Sequence, residues 1–171
     1  MATETPDYTL LGKDGKFEIR DYDPFVIAKT KVNSGYKEAT YTGFRRVANY
    51  IFGGNKKQLS IEMTAPVISN VPNSDSAYEI CFVMPQKHSL ASLPEPKNDD
   101  VNLEEQHLGK TAVVSFGGWA TESRVIYYKE QLEKFISIKQ LSARGDFLVA
   151  QYNSPWVLPP FRKNEIIVKV E

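Results

Sequence analysis

One order of secondary-structure signals occurs twice along the chain, and this repeat limits the possible folds more than any other feature. A strand pattern is followed by a helical pattern and then by two more strand patterns, and the same order returns in the second half. The helices are predicted to begin near residues 36 and 122, and the last strands of the two units centre near Ile80 and Ile166, so both offsets are 86 residues. Each unit has one apolar helix face and one apolar sheet face to bury. The pattern therefore predicts an α+β fold made of two βαββ units.

The predicted elements can be placed along the chain from apolar periodicity and turn residues. In chain order they are strands over 17–32, a helix over 36–52, strands over 61–67 and 78–84, a strand over 111–116, a helix over about 122–140, and strands over 147–152 and 166–170. We expect Ser34 or Gly35 to cap the first helix and Thr121 to cap the second. The helix faces predicted to pack against the sheet carry Phe44, Val47, Ala48 and Ile51 in the first helix and Val125, Tyr128, Leu132, Phe135 and Ile136 in the second.

The sequence also predicts how the two units are connected and what sheet they form together. The segment 86–109 is rich in Pro, Asn and Asp and is expected to be a surface loop that bridges the repeats. Two such units are expected to form a largely antiparallel sheet of eight strands with two long helices and pseudo-two-fold symmetry, either open or curled into a distorted barrel. We expect a single domain over 1–171, with repeat units over about 17–85 and 108–171.

Charge and cysteine content exclude several classes of function. The 21 Lys and Arg residues balance the 21 Asp and Glu residues, which argues against a protein dedicated to nucleic acid or to a membrane surface. Cys81 lies in an apolar run and is interpreted as a small buried hydrophobe, with a reactive thiol or haem ligand as the alternative. One cysteine forms no intrachain disulfide, and no stretch has the roughly 20 apolar residues of a membrane span. The polar, acidic start does not resemble a secretory signal, so a cytoplasmic protein is predicted, with an organellar one such as a plastid protein after transit-peptide removal as the alternative.

The sequence carries no recognisable catalytic motif, and we predict that the protein is not an enzyme. Both histidines, His88 and His107, fall in the predicted connector and are expected to be exposed loop residues. A nucleophile of the Ser or Cys type needs a base held rigidly beside it, and nothing in the local sequence indicates one. The enzymatic alternative would use Glu62, Tyr78, Glu79 or Cys81 on a small apolar substrate.

One line of residues on the first predicted helix allows two interpretations. Tyr41, Arg45, Ala48 and Phe52 follow the spacing i, i+4, i+7 and i+11, which places them on one face. In the first interpretation this line is the edge of the core, and Arg45 reaches water past it. In the second it is one wall of a groove for a flat apolar ligand with acidic ends: Ala48 leaves room for the ring, the aromatic side chains stack, and Arg45 meets a carboxylate.

A second candidate wall lies near the C-terminus, over residues 152–165. Three prolines, aromatic side chains and two cations make this segment stiff, with apolar and basic sides. It is interpreted either as a rigid connection between strands or as a binding surface that loses little entropy on ordering.

Six ordered segments resemble the SOUL haem-binding family, which includes the small haem-binding proteins of the 22 kDa class. They are FEIRDYDPFVIAKT (17–30), GFRRVANYIFGGN (43–55), IEMTAPVIS (61–69), EICFVMP (79–85), SFGGWA (115–120) and YNSPWVLPPFRKNEI (152–166). The resemblance covers about residues 8–171. It implies the same two βαββ units in a distorted, barrel-like sheet of eight strands, as in the effector-binding domains of bacterial regulators and gyrase-inhibitor-like proteins.

The resemblance further implies a non-enzymatic carrier or buffer that holds haem or another tetrapyrrole non-covalently in an open hydrophobic pocket beside the first helix. The residues implied to line it are Tyr41, Phe44, Arg45, Ala48 and Asn49 on the helix, Met63 as a soft axial contact, and Leu158 and Phe161 with the other residues between them on the C-terminal segment. Propionate pairing falls to Arg45, Arg46 or Arg162.

This chain departs from the family pattern just before the first helix. Some members have a histidine there that has been proposed as an iron ligand, whereas residues 29–34 of this chain contain none. Binding without histidine ligation is therefore expected to rest on apolar burial and propionate contacts. The alternatives left open are a small-molecule hydrolase or effector-binding domain of the gyrase-inhibitor-like fold and a protein–protein interaction module.

Overall fold

The computed structural model describes residues 3–72, 77–153 and 157–171, and these residues contain nine strands and two long helices. The strands are β1 (Tyr8–Asp14), β2 (Phe17–Tyr22), β3 (Phe25–Asn33), β4 (Val67–Asn70), β5 (Ala77–Val83), β6 (Asn102–Gln106), β7 (Gly109–Phe116), β8 (Ala143–Gln151) and β9 (Asn164–Val170). The helices are α1 (Tyr36–Ile51) and α2 (Glu122–Ile138), and a single 3₁₀ turn spans Pro159–Phe161. Every strand pair described below is antiparallel.

The described chain divides into two compact units. Unit 1 comprises residues 3–6, 24–69 and 77–106, and unit 2 comprises residues 7–23, 70–72, 107–153 and 157–171. Within unit 1 the strand order is β4-β5-β3-β6, and within unit 2 it is β1-β2-β7-β9-β8. The first two strands of the chain therefore belong to the unit that carries α2.

In unit 1 the buried face of α1 packs on β3 and β5. Val47 and Ile51 are fully buried, and Phe44 and Ala48 lie half-buried against the same cluster, which confirms the predicted apolar face. Gly43 lies so close to β5 that a Cβ there would be 2.6 Å from the side chain of Ile80. Gly35 is the N-cap of α1 without a side-chain hydrogen bond.

In unit 2 α2 covers β7, β8 and β9 through the apolar face predicted from the sequence. Val125, Leu132, Phe135 and Ile136 are buried, and Tyr128 is partly buried against the same core. Phe17 on β2 stacks on Phe135 with ring centroids 4.7 Å apart. Thr121 caps the helix as predicted, since its hydroxyl accepts a hydrogen bond of 3.3 Å from the Arg124 backbone N–H.

The α+β class and both helices are confirmed, but the described residues contain nine strands where eight were predicted. The prediction missed β1, and it placed β6 in the 86–109 loop. β1 is largely exposed, and β6 consists mainly of polar residues that are exposed or half-buried, so neither shows the apolar alternation by which strands are recognised.

The predicted strand over 61–67 is wrong for most of its length, because β4 begins only at Val67. The backbone N–H groups that precede it bond outside any ladder: Ile61 donates to the Ile51 carbonyl at 2.7 Å, and Ala65 donates to the Glu4 carbonyl at 3.0 Å. A following cis peptide joins Ala65 to Pro66. Among the described residues, no helix has the length and apolar character to span a bilayer.

Candidate functional site

The outer face of α1 carries an exposed aromatic stripe. Tyr41 is 69% exposed and Phe52, directly after the helix, is 63% exposed. Ala48 lies between them on the same face and is only half-buried. Two aromatic side chains with most of their surface in water are not the edge of a core, and clustered exposed apolar groups are typical of binding surfaces. Tyr41 and Phe52 therefore do not form the edge of the core, and the second interpretation, one wall of a ligand groove, stays a prediction.

Arg45 supplies the positive charge of this stripe. It is exposed, and its guanidinium carbon lies 5.8 Å from the centre of the Tyr41 ring. Its neighbour Arg46 points elsewhere: it donates to the Lys31 carbonyl at 3.1 Å and pairs with Asp100 at 3.4 Å. Arg45 is thus the arginine of α1 whose charge is available to an anion beside the aromatic stripe.

The remaining helix residues predicted to bind ligand have structural contacts. Phe44 packs on Phe82 with ring centroids 5.1 Å apart, so its ring belongs largely to the core of unit 1. Asn49 is exposed, and its backbone carbonyl accepts a hydrogen bond of 2.8 Å from the Gly54 N–H in the turn that ends the helix. A Cβ on Gly54 would be 2.5 Å from that carbonyl, so this tight turn requires glycine.

The segment after α1 returns along the end of the helix and adds apolar surface. Phe52 and Ser60 form an antiparallel bridge, which brings residues 59–61 beside the end of the aromatic stripe. Leu59 is 41% exposed and Met63 is 40% exposed. Met63 was predicted from the sequence but Leu59 was not. Residues 56–60 show neither the helical nor the strand period, so the sequence does not indicate which residues surround Leu59.

The predicted C-terminal residues lie in unit 2 and fall into two groups. Leu158 and Phe161 are 65% and 74% exposed, at the ends of a short segment that includes the 3₁₀ turn. Arg162 is buried, lies 4.3 Å from the Trp119 ring centre, and donates to the carbonyls of Asn153 and Val157. Burial lowers the pKa of Arg162. The motif residues 154–156 lie outside the described part of the chain.

The side chains considered for catalysis do not form a nucleophile–base pair with one another. Cys81 is buried as predicted, and burial raises the pKa of its thiol to about 12, which keeps it protonated at neutral pH. Tyr78 packs on Tyr36, Glu79 lies 3.8 Å from Lys29, and Glu62 lies 3.8 Å from Lys87. His88 and His107 lie outside the helices and strands, as predicted.

Sequence analysis gave no indication of the buried ion pair in unit 2. Arg20 on β2 and Glu165 on β9 are fully buried and joined by two hydrogen bonds of 3.0 and 2.6 Å. Tyr22 accepts a further bond from Arg20 at 2.7 Å, and Tyr152 donates to Glu165 at 2.5 Å. The Tyr8 ring lies 4.2 Å from the Arg20 guanidinium carbon. Every charge in this cluster has a partner, so its arrangement is that of a structural element.

Comparison with known sequences gives a consistent result over nearly the whole chain. A family model described as "SOUL heme-binding protein" matches residues 3–169. Human "Heme-binding protein 2" is 33% identical over 180 residues, covering 97% of this chain and 85% of that protein. "Heme-binding protein 1" of Xenopus laevis is 26% identical over 161 residues, covering 90% of this chain and 84% of that protein.

Comparison with solved structures shows similarity of fold alone. The EcmrR C-terminal domain superimposes with a TM-score of 0.68 at 10% identity, covering 96% of this chain and 98% of that one. A protein described as a hydrolase from Listeria innocua gives a TM-score of 0.65 at 10% identity, with 94% of each chain covered. At this identity, function does not transfer with the fold.

Proposed function

This chain belongs to the SOUL heme-binding protein family, and from that premise we propose that it is a carrier or buffer for haem or a related tetrapyrrole. The macrocycle lies on the outer face of α1, against Tyr41, Ala48 and Phe52. Arg45 pairs with a propionate at its edge. The observation that carries the proposal is the exposure of Tyr41 and Phe52, 69% and 63%, on either side of the small Ala48.

Apolar contact supplies most of the affinity in this proposal. A macrocycle that loses on the order of 400 Å² of apolar surface gains roughly 10 kcal/mol at about 25 cal/mol/Å². Lost translational freedom and side-chain ordering take back at least about 4 kcal/mol of this gain. The balance, at most about 6 kcal/mol, corresponds to a dissociation constant of tens of micromolar or weaker from apolar contact alone, which the Arg45–propionate pair would tighten. Such an affinity permits release to an acceptor, as a carrier requires.

Iron ligation plays a minor part in the proposal. Met63 is the soft donor of unit 1 with surface open to a ligand, and no described residue of α1 is a histidine. A site that depends on ring contacts discriminates little between haem and the metal-free ring. We therefore expect protoporphyrin IX to bind within about ten-fold of hemin.

A hemin titration followed by absorbance tests the proposed function. We expect a Soret change that saturates at one equivalent. A rise that never saturates, with the spectrum of aggregated hemin, would reject it.

Substitutions on α1 test the location of the site. Tyr41→Ala and Phe52→Ala each remove exposed ring surface and are expected to weaken binding about ten-fold. Arg45→Glu places a carboxylate beside the propionate and is expected to weaken binding by at least as much. Lys13→Glu, an equal charge reversal on an exposed position of β1, is the matched control and is expected to leave the affinity unchanged.

Leu158, Phe161 and Arg162 on the C-terminal segment are also proposed as ligand contacts and are tested separately. Phe161→Ala removes a 74% exposed ring, so a loss of affinity reports ligand contact and not unfolding. Arg162 is unsuited to the same test, because its substitution would remove its hydrogen bonds to the carbonyls of Asn153 and Val157. The cytoplasmic location, with its organellar alternative, stays a prediction that fluorescence microscopy of the tagged protein tests.

Protein–protein interaction is the second candidate, because the same exposed stripe on α1 would also suit a partner protein. Hemin discriminates between the two functions. If Tyr41→Ala and Phe52→Ala leave hemin affinity unchanged, the stripe is not the tetrapyrrole site and the interaction module becomes the better explanation for it.

A further inference from the structure

The outer face of α2 repeats the outer face of α1 at the 86-residue offset of the two units. A shift of 86 positions converts the α1 stripe of Tyr41, Arg45, Ala48 and Phe52 into a stripe on α2 that consists of Tyr127, Gln131, Lys134 and Ile138. The ends of this second stripe are also exposed, since Tyr127 is 51% and Ile138 is 77% exposed. Unit 2 therefore carries its own amphipathic surface on a helix, with different chemistry at the two central positions.

The surface beside α2 is open because the chain that leads into β2 is short. In unit 1 a long segment precedes β6 and packs on α1: Leu93 and Val101 are buried in the core there, and the Tyr50 hydroxyl donates to the Pro94 carbonyl at 2.7 Å. In unit 2 a tight turn at Gly15 and Lys16 joins β1 directly to β2. The strand registers show that β2 in unit 2 is equivalent to β6 in unit 1. Val114 on β7 pairs with Phe17 on β2, and Ala28 on β3, which lies 86 residues before Val114, pairs with Leu103 on β6.

A groove of about 500 Å³ lies between the turn at Gly15 and Lys16 and the C-terminal half of α2. Its apolar side chains are Phe17, Phe135 and Ile138, with Phe17 and Phe135 stacked. This volume lies within the range of small-molecule sites, about 300–1,000 Å³.

Three lysines surround the groove. Lys16, Lys134 and Lys139 line it together with one carboxylate, Asp14. The Lys16 ammonium lies 5.8 Å from the Phe17 ring centre, and the Lys139 ammonium lies 5.7 Å from that of Phe135. In the part of the chain that the structure describes, none of the three ammonium groups has a carboxylate within 4.0 Å. Their charge is therefore available to an anion that also covers the aromatic rings.

We propose that unit 2 carries a second ligand site in this groove, and that it binds a slim amphiphilic carboxylate of the fatty-acid type. The hydrocarbon chain lies along Phe17, Phe135 and Ile138, and the carboxylate pairs with Lys134 and Lys139. This site goes beyond the proposed tetrapyrrole function and does not depend on it.

The residue equivalent to Ala48 determines whether a helix surface suits a hydrocarbon chain or a flat macrocycle as its ligand. On α1 the small Ala48 leaves space between the two aromatic side chains for a flat ring. On α2 the equivalent residue is the exposed Lys134, whose longer, charged side chain lines the groove. A chain with an anionic head fits beside Lys134, whereas a flat ring would have to displace it.

Dodecanoate below its micelle concentration, added to the ¹⁵N-labelled full chain, tests the proposal by NMR. We expect saturable shifts of the backbone amides of residues 14–17 and 131–139, and little change at residues 41–52. Dodecyltrimethylammonium, which has the same chain and the opposite charge, is expected to bind at least about five-fold more weakly. Equal binding of the two amphiphiles would overturn the charge-based recognition, and unsaturable shifts spread over both units would overturn the site.

Variants at exposed positions locate the contacts without disturbing the core. Lys134→Glu and Ile138→Asp are each expected to weaken dodecanoate binding at least about five-fold while hemin binding stays unchanged. Lys110→Glu, at an exposed position of β7 outside the groove, is the matched control and is expected to change dodecanoate affinity less than two-fold. If the control and Lys134→Glu weaken binding equally, net charge and not the groove is responsible. If hemin binding fails while dodecanoate binding is as described, the tetrapyrrole function is rejected and the second site stands.

Discussion

Arg20 and Glu165 show how two charges are accommodated inside unit 2. A buried charge costs several kcal/mol unless a partner and further hydrogen bonds compensate it. Burial alone would raise the pKa of Glu165, but the hydrogen bonds and charge of Arg20, with Tyr152 and Lys163, outweigh that effect and hold it below its usual value. Burial likewise disfavours the Arg20 cation, and the bonds and charge of Glu165 reverse this, so its pKa is raised.

Removing the charge of Glu165 is expected to destabilise unit 2 strongly. Glu165→Gln keeps the shape of the side chain but leaves the buried Arg20 with only Glu18, 3.1 Å away, as a counter-ion, at a cost of about 3 kcal/mol. Urea unfolding measures this as a fall in the free energy of unfolding. Glu171→Gln breaks an exposed pair with Arg144 and is expected to cost less than about 1 kcal/mol. Similar losses in the two variants would contradict the structural role of the buried pair.

Stability is expected to fall in acid because of the same carboxylate. The pKa of Glu165 in the folded protein lies below the value of 4.5 that it has when unfolded. The unfolded chain therefore takes up the proton first, so the contribution of Glu165 is complete above pH 4.5 and is lost as the pH falls through the folded value. Unfolding free energies measured between pH 7 and pH 2 should show this slope, and Glu165→Gln should reduce it. Glu95→Gln is the control, because Glu95 is fully exposed and its pairing with Lys56 is screened by water.

At the scale of elements, the contact between α1 and β5 depends on a glycine within the helix. Glycine costs about 1 kcal/mol relative to alanine in a helix interior. Gly43 is nevertheless required, because a Cβ would lie within 2.7 Å of three side-chain atoms of the fully buried Ile80. Close approach of helix and strand thus outweighs intrinsic helix propensity at this position.

Gly43→Ala is expected to destabilise the protein although it improves helix propensity. Overpacking in a filled core costs about 1–3 kcal/mol, and the gain of about 1 kcal/mol in propensity leaves a net loss of up to about 2 kcal/mol, expected by thermal or urea unfolding. In an Ile80→Ala background, where two of the three contacting atoms are absent, the same substitution should cost less. Additive effects in this double-mutant cycle would show that the contact is not the cause.

At the scale of the whole molecule, chain order and spatial grouping differ. Residues 7–23 precede α1 in sequence but belong to unit 2, where β2 pairs with β7 over six residue pairs. Folding of unit 2 therefore requires β2 together with the last third of the chain. The predicted single domain, with repeat units over 17–85 and 108–171, stays a prediction.

Two N-terminal deletions should have very different effects on unit 2. Removal of residues 1–14 eliminates β1, whose side chains are largely exposed, and should leave unit 2 folded. Removal of residues 1–22 also eliminates β2 and Arg20, which takes from the buried Glu165 its two hydrogen bonds to the guanidinium. Hydrogen exchange should then show lost protection of β7 and β9 amides. Full protection of β9 in the longer deletion would contradict the assignment of β2 to this unit.

The sequence by itself determined the α+β class, both helices within two residues at each end, the Thr121 cap and the buried state of Cys81. These follow from local signals: apolar period, capping chemistry and side-chain polarity act over a few residues. The family was also identifiable from ordered motifs along the chain, because matches of that kind do not require coordinates.

Only the tertiary structure decided which face of α1 is exposed, which strands form each unit and where the buried charges meet. Tyr41 and Phe52 have the spacing of a core edge and of a binding surface alike, and only the position of β5 on the opposite face of the helix distinguishes the two. β6 lacks apolar alternation because four of its five residues, Asn102, Glu104, Glu105 and Gln106, are polar. Its pairing with β3 is a contact between residues about 75 apart. Arg20 and Glu165 are separated by 145 residues, and no local pattern records a contact that forms only when β2, β7 and β9 lie side by side.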